Sequence, residues 1–152
     1  MAVPRRITRF LRFHDIDYEA IEHDEDIPTE KEFQSLSPQR QNIARVMVVR
    51  TEDAYYMIVL PTGKAVPVDH VREALQLPHC RLATEDEIAG IFSDCEAGAL
   101  PALGNLYNVP VVLDESFGRE ETICFSGGTR HDAVLMRYCD FAELTHASVV
   151  SL

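Results

Sequence analysis

The segment Asp94-Cys95-Glu96-Ala97-Gly98-Ala99-Leu100-Pro101-Ala102-Leu103-Gly104 bends the chain between two patterned stretches. Glycine lets a backbone approach a ligand closely and turn its amides toward it, so these residue types suit a site loop. An ordinary turn explains the same composition. Ser126-Gly127-Gly128-Thr129 sets two hydroxyls beside two flexible amides, able to hold a carbonyl or ribose oxygen, although Gly-Gly between strands is equally a hairpin signal. Arg45 interrupts the apolar run Ile43 to Val49. A charge in a central strand requires a partner, an exposed face or an anionic ligand, and an ion pair within the chain is the simplest of these.

Other chemistries find little support. His14, His23, His70, His79, His131 and His146 lack the i, i+4 spacing that puts two ligands on one helical face, so no metal site is expected. His23-Asp24 and His131-Asp132 are adjacent pairs, which form no relay, and surface histidines are the simpler reading. A Gly-x-Ser-x-Gly elbow is missing, Cys95 has no feature that marks an activated thiol, and nothing requires a cofactor.

These residues need a scaffold, and the sequence predicts a mixed α/β one. Ile7, Phe10 and Leu11 repeat at helical spacing over Pro4 to His14. Tyr18 to Glu22 alternates as a strand, and Thr29-Glu30-Lys31-Glu32 opens a short helix through Phe33 and Leu36. Ile43 to Arg50 and Ala54 to Leu60 form an antiparallel hairpin at the sheet centre. Val68, Val71 and Leu75 mark a helix that Pro78 ends; a short strand near Cys80 to Ala83 follows. Thr84-Glu85-Asp86-Glu87 is a capping box for a helix ending near Phe92. Strands at Val109 to Leu113, Thr122 to Phe125 and Ala133 to Arg137 precede a last helix around Phe141 to Leu144. The expected fold is one domain over residues 1–152, a largely antiparallel central sheet flanked by short helices.

Composition narrows the partners. With 152 residues and 46% hydrophobic content the chain can bury a real core, and its apolar runs are too short to cross a bilayer, so a cytoplasmic protein is expected. Cys80, Cys95, Cys124 and Cys139 show neither Cys-x-x-Cys spacing nor disulfide density, which predicts buried or free thiols. Against 25 acidic residues stand 14 basic ones, for a net charge of −11 that opposes free-standing binding to a polyanion. Arg40, Arg45 and Arg50 recur at intervals of five, but in a strand Arg45 and Arg50 point to opposite faces and make no stripe.

Taken in order, Ala44-Arg45-Val46-Met47-Val48-Val49, the Leu82 to Glu87 helix entry, Gly98 to Gly104 and Phe125-Ser126-Gly127-Gly128 resemble the YbaK family across nearly the whole chain. That family comprises aminoacyl-tRNA editing domains, free-standing or inserted in prolyl-tRNA synthetase, which hydrolyse the ester between a wrong amino acid and tRNA. The resemblance implies catalytic roles for Gly98, Ala99 and Arg45 and substrate contacts from Leu100, Pro101, Ala102, Gly104, Ser126, Gly127 and Gly128. It implies water attack on the ester, with amides at Gly98 and Ala99 holding the carbonyl and a tRNA ribose hydroxyl helping to activate the water. The partner is then the aminoacyl-tRNA 3′ end, delivered with help from a synthetase or another carrier. Two positions depart from the family pattern: Ala102 stands where the Gly-x-x-x-Pro loop has proline, and Arg45 where the strand has lysine, with Lys64 a substitute from the neighbouring turn. The alternative implied by those departures is a weak or inactive module of the same fold that binds an aminoacyl-adenosine-like ligand or a protein.

Overall fold

A computed structural model of the chain describes residues 3–22, 43–62, 64–117 and 122–152. The helix expected over Thr29 to Leu36, the pair His23-Asp24, and Arg40 lie outside the described residues.

Pro4 opens α1 (Arg5–Phe13), which buries Ile7 and Leu11 on one face. The helix stops where Asp15 turns left-handed at φ 57°, and the amides of Asp15 and Ile16 return to Arg12 and Leu11, satisfying carbonyls at the helix end. β1 (Tyr18–Glu22) follows and pairs antiparallel with β7 (Asp132–Arg137), whose other edge takes β6 (Thr122–Ser126) antiparallel. These strands make a three-stranded sheet in the order β1-β7-β6.

The expected hairpin is present: β2 (Ala44–Arg50) and β3 (Tyr55–Pro61) pair antiparallel, with Arg45 opposite Leu60. β4 (Arg81–Leu82) adds to the free edge of β2, while β5 (Val111–Asp114) runs parallel to β3. Beyond β5 lies β8 (Ser148–Val150), also parallel and not anticipated from the sequence, which completes a second sheet in the order β4-β2-β3-β5-β8. One parallel bridge, Ile43 to Cys124, joins the two sheets. Met57, Val59, Leu113, Phe125, Val134 and Phe141 share the main core with Ile7 and Leu11 of α1, and Met47, Val49, Ile58, Leu60 and Val112 cover the other face of β2, β3 and β5.

On that second face sits α2 (Val68–Ala74) through Val71. Pro78 does not end this helix. Gln76 is left-handed at φ 54°, and the amides of Gln76 and Leu77 return to Glu73 and Arg72, so the stop is built into the backbone before the proline arrives. α3 (Glu85–Ile91) carries its predicted capping box: Thr84 Oγ1 accepts from the Glu87 amide and the Glu87 carboxylate accepts from the Thr84 amide. Tyr55 Oη donates to Glu87 at 2.6 Å and Arg81 reaches it at 2.7 Å, pinning α3 to β3 and β4. The Arg81 guanidinium, followed by the Thr84 amide and the Tyr55 hydroxyl, holds this carboxyl well below its ordinary range. A 3-10 turn (Gly104–Tyr107) and α4 (Tyr138–Thr145) complete the described elements.

Candidate functional site

Phe92 is buried just past α3, and from it the chain folds into the Gly98 loop. Cys95 donates its amide to Phe92, and the Glu96 amide donates to the Gly128 carbonyl at 2.7 Å. The Arg130 amide returns to Glu96 Oε2 at 3.3 Å and its guanidinium to the Ala97 carbonyl at 3.5 Å. The two glycine-bearing loops picked out in the sequence are therefore stitched together, which neither loop's composition alone could indicate.

Within the first loop the residues divide by burial. Gly98 is exposed at φ 80°, a conformation that side chains other than glycine's rarely adopt, with open space around it. Its amide meets no acceptor among the described residues. Ala99 differs: it is buried, and its amide donates to the Glu96 carbonyl at 3.1 Å, so that hydrogen is already committed. Leu100 packs half-buried against the core, while Pro101, Ala102 and Gly104 are buried. A Cβ at Gly104 would stand 2.7 Å from the Val109 carbonyl oxygen, which makes that glycine a packing requirement of the backbone beneath the loop.

The second loop closes on itself. The Gly127 amide donates to the Asp132 carbonyl at 2.8 Å, and the buried Thr129 hydroxyl donates to the Asp132 carboxylate while accepting from the His131 amide at 3.2 Å. Gly128 adopts φ 96° and presses against Pro4, where an added Cβ would meet Cδ at 2.7 Å. Val3 covers Gly127 in the same way, at 3.1 Å. The N-terminal end of α1 thus forms the backing of this loop.

Arg45 lies near the start of β2. Ala44, Val46 and Val48 face the main core, which puts Arg45 with Met47 and Val49 on the opposite face. Ile43, just before β2, is bridged in parallel to Cys124 of β6, which brings the start of β2 alongside the strand that leads into the second loop. Arg45 is exposed and makes no ion pair among the described residues, contrary to the simplest expectation for it. Lys64 is no substitute, because its ammonium lies 2.9 Å from the buried Asp114 carboxylate.

Beneath the Gly98 loop lies a polar layer that the sequence did not advertise. Arg6 Nε reaches Asp94 Oδ2 at 2.8 Å and its guanidinium covers the Tyr107 ring at 4.3 Å. Tyr107 Oη donates to Asp94 Oδ1 at 2.8 Å and lies 3.3 Å from Cys95 Sγ. Burial works to raise the Asp94 carboxyl, but hydrogen bonds from Tyr107 and Cys95 and the Arg6 charge outweigh it, and its pKa is lowered. Burial pushes the Cys95 thiol up to about 11, so at neutral pH it is a protonated packing group rather than a nucleophile. Among the described residues no His, Cys, Asp and Glu side chains converge as a metal-ligating group.

This arrangement offers an open amide, a cationic side chain, and a hydroxyl on rigid backing. Residues 24–144 match the family described as the aminoacyl-tRNA editing domain. The chain belongs to that family. Among solved structures the editing domain is similar to hypothetical protein APE2540, at TM-score 0.83 and 18% identity over 97% of this chain and 100% of that one. It is equally similar to a candidate trans-editing enzyme for prolyl tRNA synthetase, at TM-score 0.83 and 21% identity, covering 97% and 94% of the two chains. A candidate signal transduction protein from Marinobacter aquaeolei VT8 contains the fold within a larger chain, at TM-score 0.74 and 15% identity over 99% of this chain and 31% of that one. At these identities the likeness establishes a shared fold. No curated protein matches significantly.

Of the residues expected from sequence, the editing domain brings the Gly98 loop and the loop of Ser126, Gly127 and Gly128 together, and buries Ala99, Pro101, Ala102 and Gly104; Arg45 is exposed near the start of β2, with no hydrogen bond or ion pair to either loop among the described residues. Arg6 was missed because it is distant from the loop in sequence, and Tyr107, three residues past Gly104, because its type there reads as a core aromatic. The available signal was the run Arg5-Arg6-Ile7-Thr8-Arg9-Phe10-Leu11-Arg12-Phe13, whose arginines recur beside the apolar helical face.

Proposed function

We infer that this editing domain, acting as one unit over residues 1–152, is a cytoplasmic hydrolase that removes a wrongly attached amino acid from tRNA. The family match over residues 24–144 carries the reading. Water attacks the ester carbonyl carbon, negative charge gathers on its oxygen, and the bond to the ribose oxygen breaks to release a free amino acid and a tRNA hydroxyl. The exposed Gly98 amide is the donor for that oxygen, and one such donor typically contributes about 10²–10³ in kcat. Ala99, whose amide is spent on Glu96, acts with Pro101, Ala102 and Gly104 to fix the course of the loop. Leu100 gives an apolar wall for the amino acid. Arg45 and Ser126 grip the terminal nucleotide through its phosphate or ribose oxygens, and Gly127 and Gly128, having no side chain to meet Val3 and Pro4, let the loop sit close on its backing.

The half-buried Cys95, its thiol pushed up to about 11, provides no nucleophile, which favours direct water attack with the substrate's own ribose hydroxyl assisting. No helix among the described residues is long and apolar enough to cross a membrane. The test is a panel of mischarged tRNAs, including alanyl- and cysteinyl-tRNA for proline. Loss of ester above the buffer rate is expected for at least one pair; no loss for any pair sinks the catalytic reading. Tight binding of a non-hydrolysable aminoacyl-adenosine analogue without turnover would replace it with the binding-module alternative.

A further inference from the structure

We propose that the exposed face of α1 is the docking surface for the phosphate backbone of the RNA whose 3′ end enters the site. The proposal rests on the deacylase reading for what that RNA is. Arg5, Arg9 and Arg12 stand at i, i+4 and i+7, so they share one helical face, opposite the buried Ile7 and Leu11. All three are exposed, and none has an ion-pair partner among the described residues. α1 contains no acid, in a chain whose net charge is −11. An unpaired basic face of this kind is the local exception that an acidic protein needs to approach a polyanion.

Its position makes the face more than a charge run. The residues just before α1 back the candidate site, Pro4 against Gly128 and Val3 against Gly127, and Arg6 ties the helix to Asp94 at the root of the Gly98 loop. From there the helix extends about 13 Å at 1.5 Å per residue. A strand that leaves its terminal nucleotide between the two loops would therefore meet Arg5, Arg9 and Arg12 with its next phosphates. At the far end Phe13 is 85% exposed, and its ring and that of Phe10 lie 5.2 and 4.8 Å from His14. Such an exposed aromatic edge suits stacking by an unpaired base. A basic helix also suits an anionic membrane surface, but here the apolar stripe of Ile7 and Leu11 is spent in the core, leaving Phe13 as the large exposed apolar group of the helix.

The experiment measures binding of a fluorescent acceptor-stem RNA hairpin with a single-stranded 3′ end, by anisotropy between 50 and 200 mM salt. Full-length protein is compared with Arg5→Gln/Arg9→Gln/Arg12→Gln, which keeps good helix formers. An equal charge change at Arg72, Arg81 and Arg137 is the control. Three lost phosphate contacts at 0.7–0.9 each lower the log–log salt slope by about 2–3, so over this range wild type loses about 20–40-fold more affinity than the α1 variant. The control retains the wild-type slope. An unchanged slope in a folded α1 variant overturns the proposal, as does binding to anionic vesicles but not to RNA. Ester hydrolysis of a free aminoacyl-nucleoside is followed separately. Turnover there with arginine-independent RNA binding refutes the α1 surface alone, whereas arginine-dependent binding without turnover of any ester refutes the deacylase alone.

Discussion

Gly128→Ala is the sharpest probe of how the site is held, because the cost of its new methyl group separates into two parts. The backbone at φ 96° lies where L side chains are strained, at about 1–3 kcal/mol. The methyl group would also stand 2.7 Å from Pro4 Cδ and 2.9 Å from Cγ, closer than carbon atoms approach, so α1 must shift or the loop must open. Overpacking of this kind costs about 1–3 kcal/mol. Together they predict about 2–6 kcal/mol, a fall in Tm of roughly 5–20 °C at 2–4 °C per kcal/mol for a chain of this size. Pro4→Ala removes both offending ring atoms and should return the steric part, but not the strain, when combined with Gly128→Ala. A double-mutant cycle by calorimetry reads that coupling as about 1–3 kcal/mol. An unchanged Tm in Gly128→Ala, or additive effects in the cycle, would refute the packing of α1 on the loop.

Two further expectations concern charge. Arg45→Gln leaves Tm unchanged within about 1 °C, since the residue is exposed without an ion pair among the described residues, yet weakens an aminoacyl-adenosine analogue at least tenfold by calorimetric titration, the low end for a charged hydrogen bond of about 1.5–3 kcal/mol; equal affinity would remove Arg45 from the site. For Asp114, burial works upward, but bonds from Ser116, Lys64 and the Leu152 amide prevail and its pKa is lowered. A carboxyl lowered on folding stabilises the protein above its unfolded pKa of about 3.9 and ceases to do so as pH falls through the folded value, so Asp114→Asn should flatten the acid limb of a urea-midpoint profile below about pH 5; an unaltered limb would refute the linkage.

Much of the scaffold was legible because its signals are local. Thr84 and Glu87 are three residues apart, and that spacing alone dictates both hydrogen bonds of the capping box. The β2–β3 hairpin followed from two β-branched runs and a short polar connection. Pro78 misled because it is a conspicuous breaker, whereas the actual stop, a left-handed Gln76, has no compositional mark. β8 escaped notice because a strand of this length is defined by the partner waiting at β5, not by its own pattern. Within the site the glycines were visible by type, but the engaged amide of Ala99 and the layer of Arg6, Asp94 and Tyr107 exist only once distant segments meet.

That layer also bears on how an acidic chain handles an anionic substrate. At physiological ionic strength the field of a charge decays over about 8 Å, so the net −11 is felt mainly as scattered local surfaces rather than as one repelling body. What decides the approach is the sign of the surface beside the pocket. Arg6 is held by Asp94 and turned onto Tyr107, which fixes the first turn of α1 against the loops and leaves Arg5, Arg9 and Arg12 facing solvent. One arginine is thus used to orient the helix that presents the others. Neutralising Asp94 would release that anchor without changing any group that faces the RNA, so its effect should appear as a lowered kcat from a loosened loop before it appears as lost affinity.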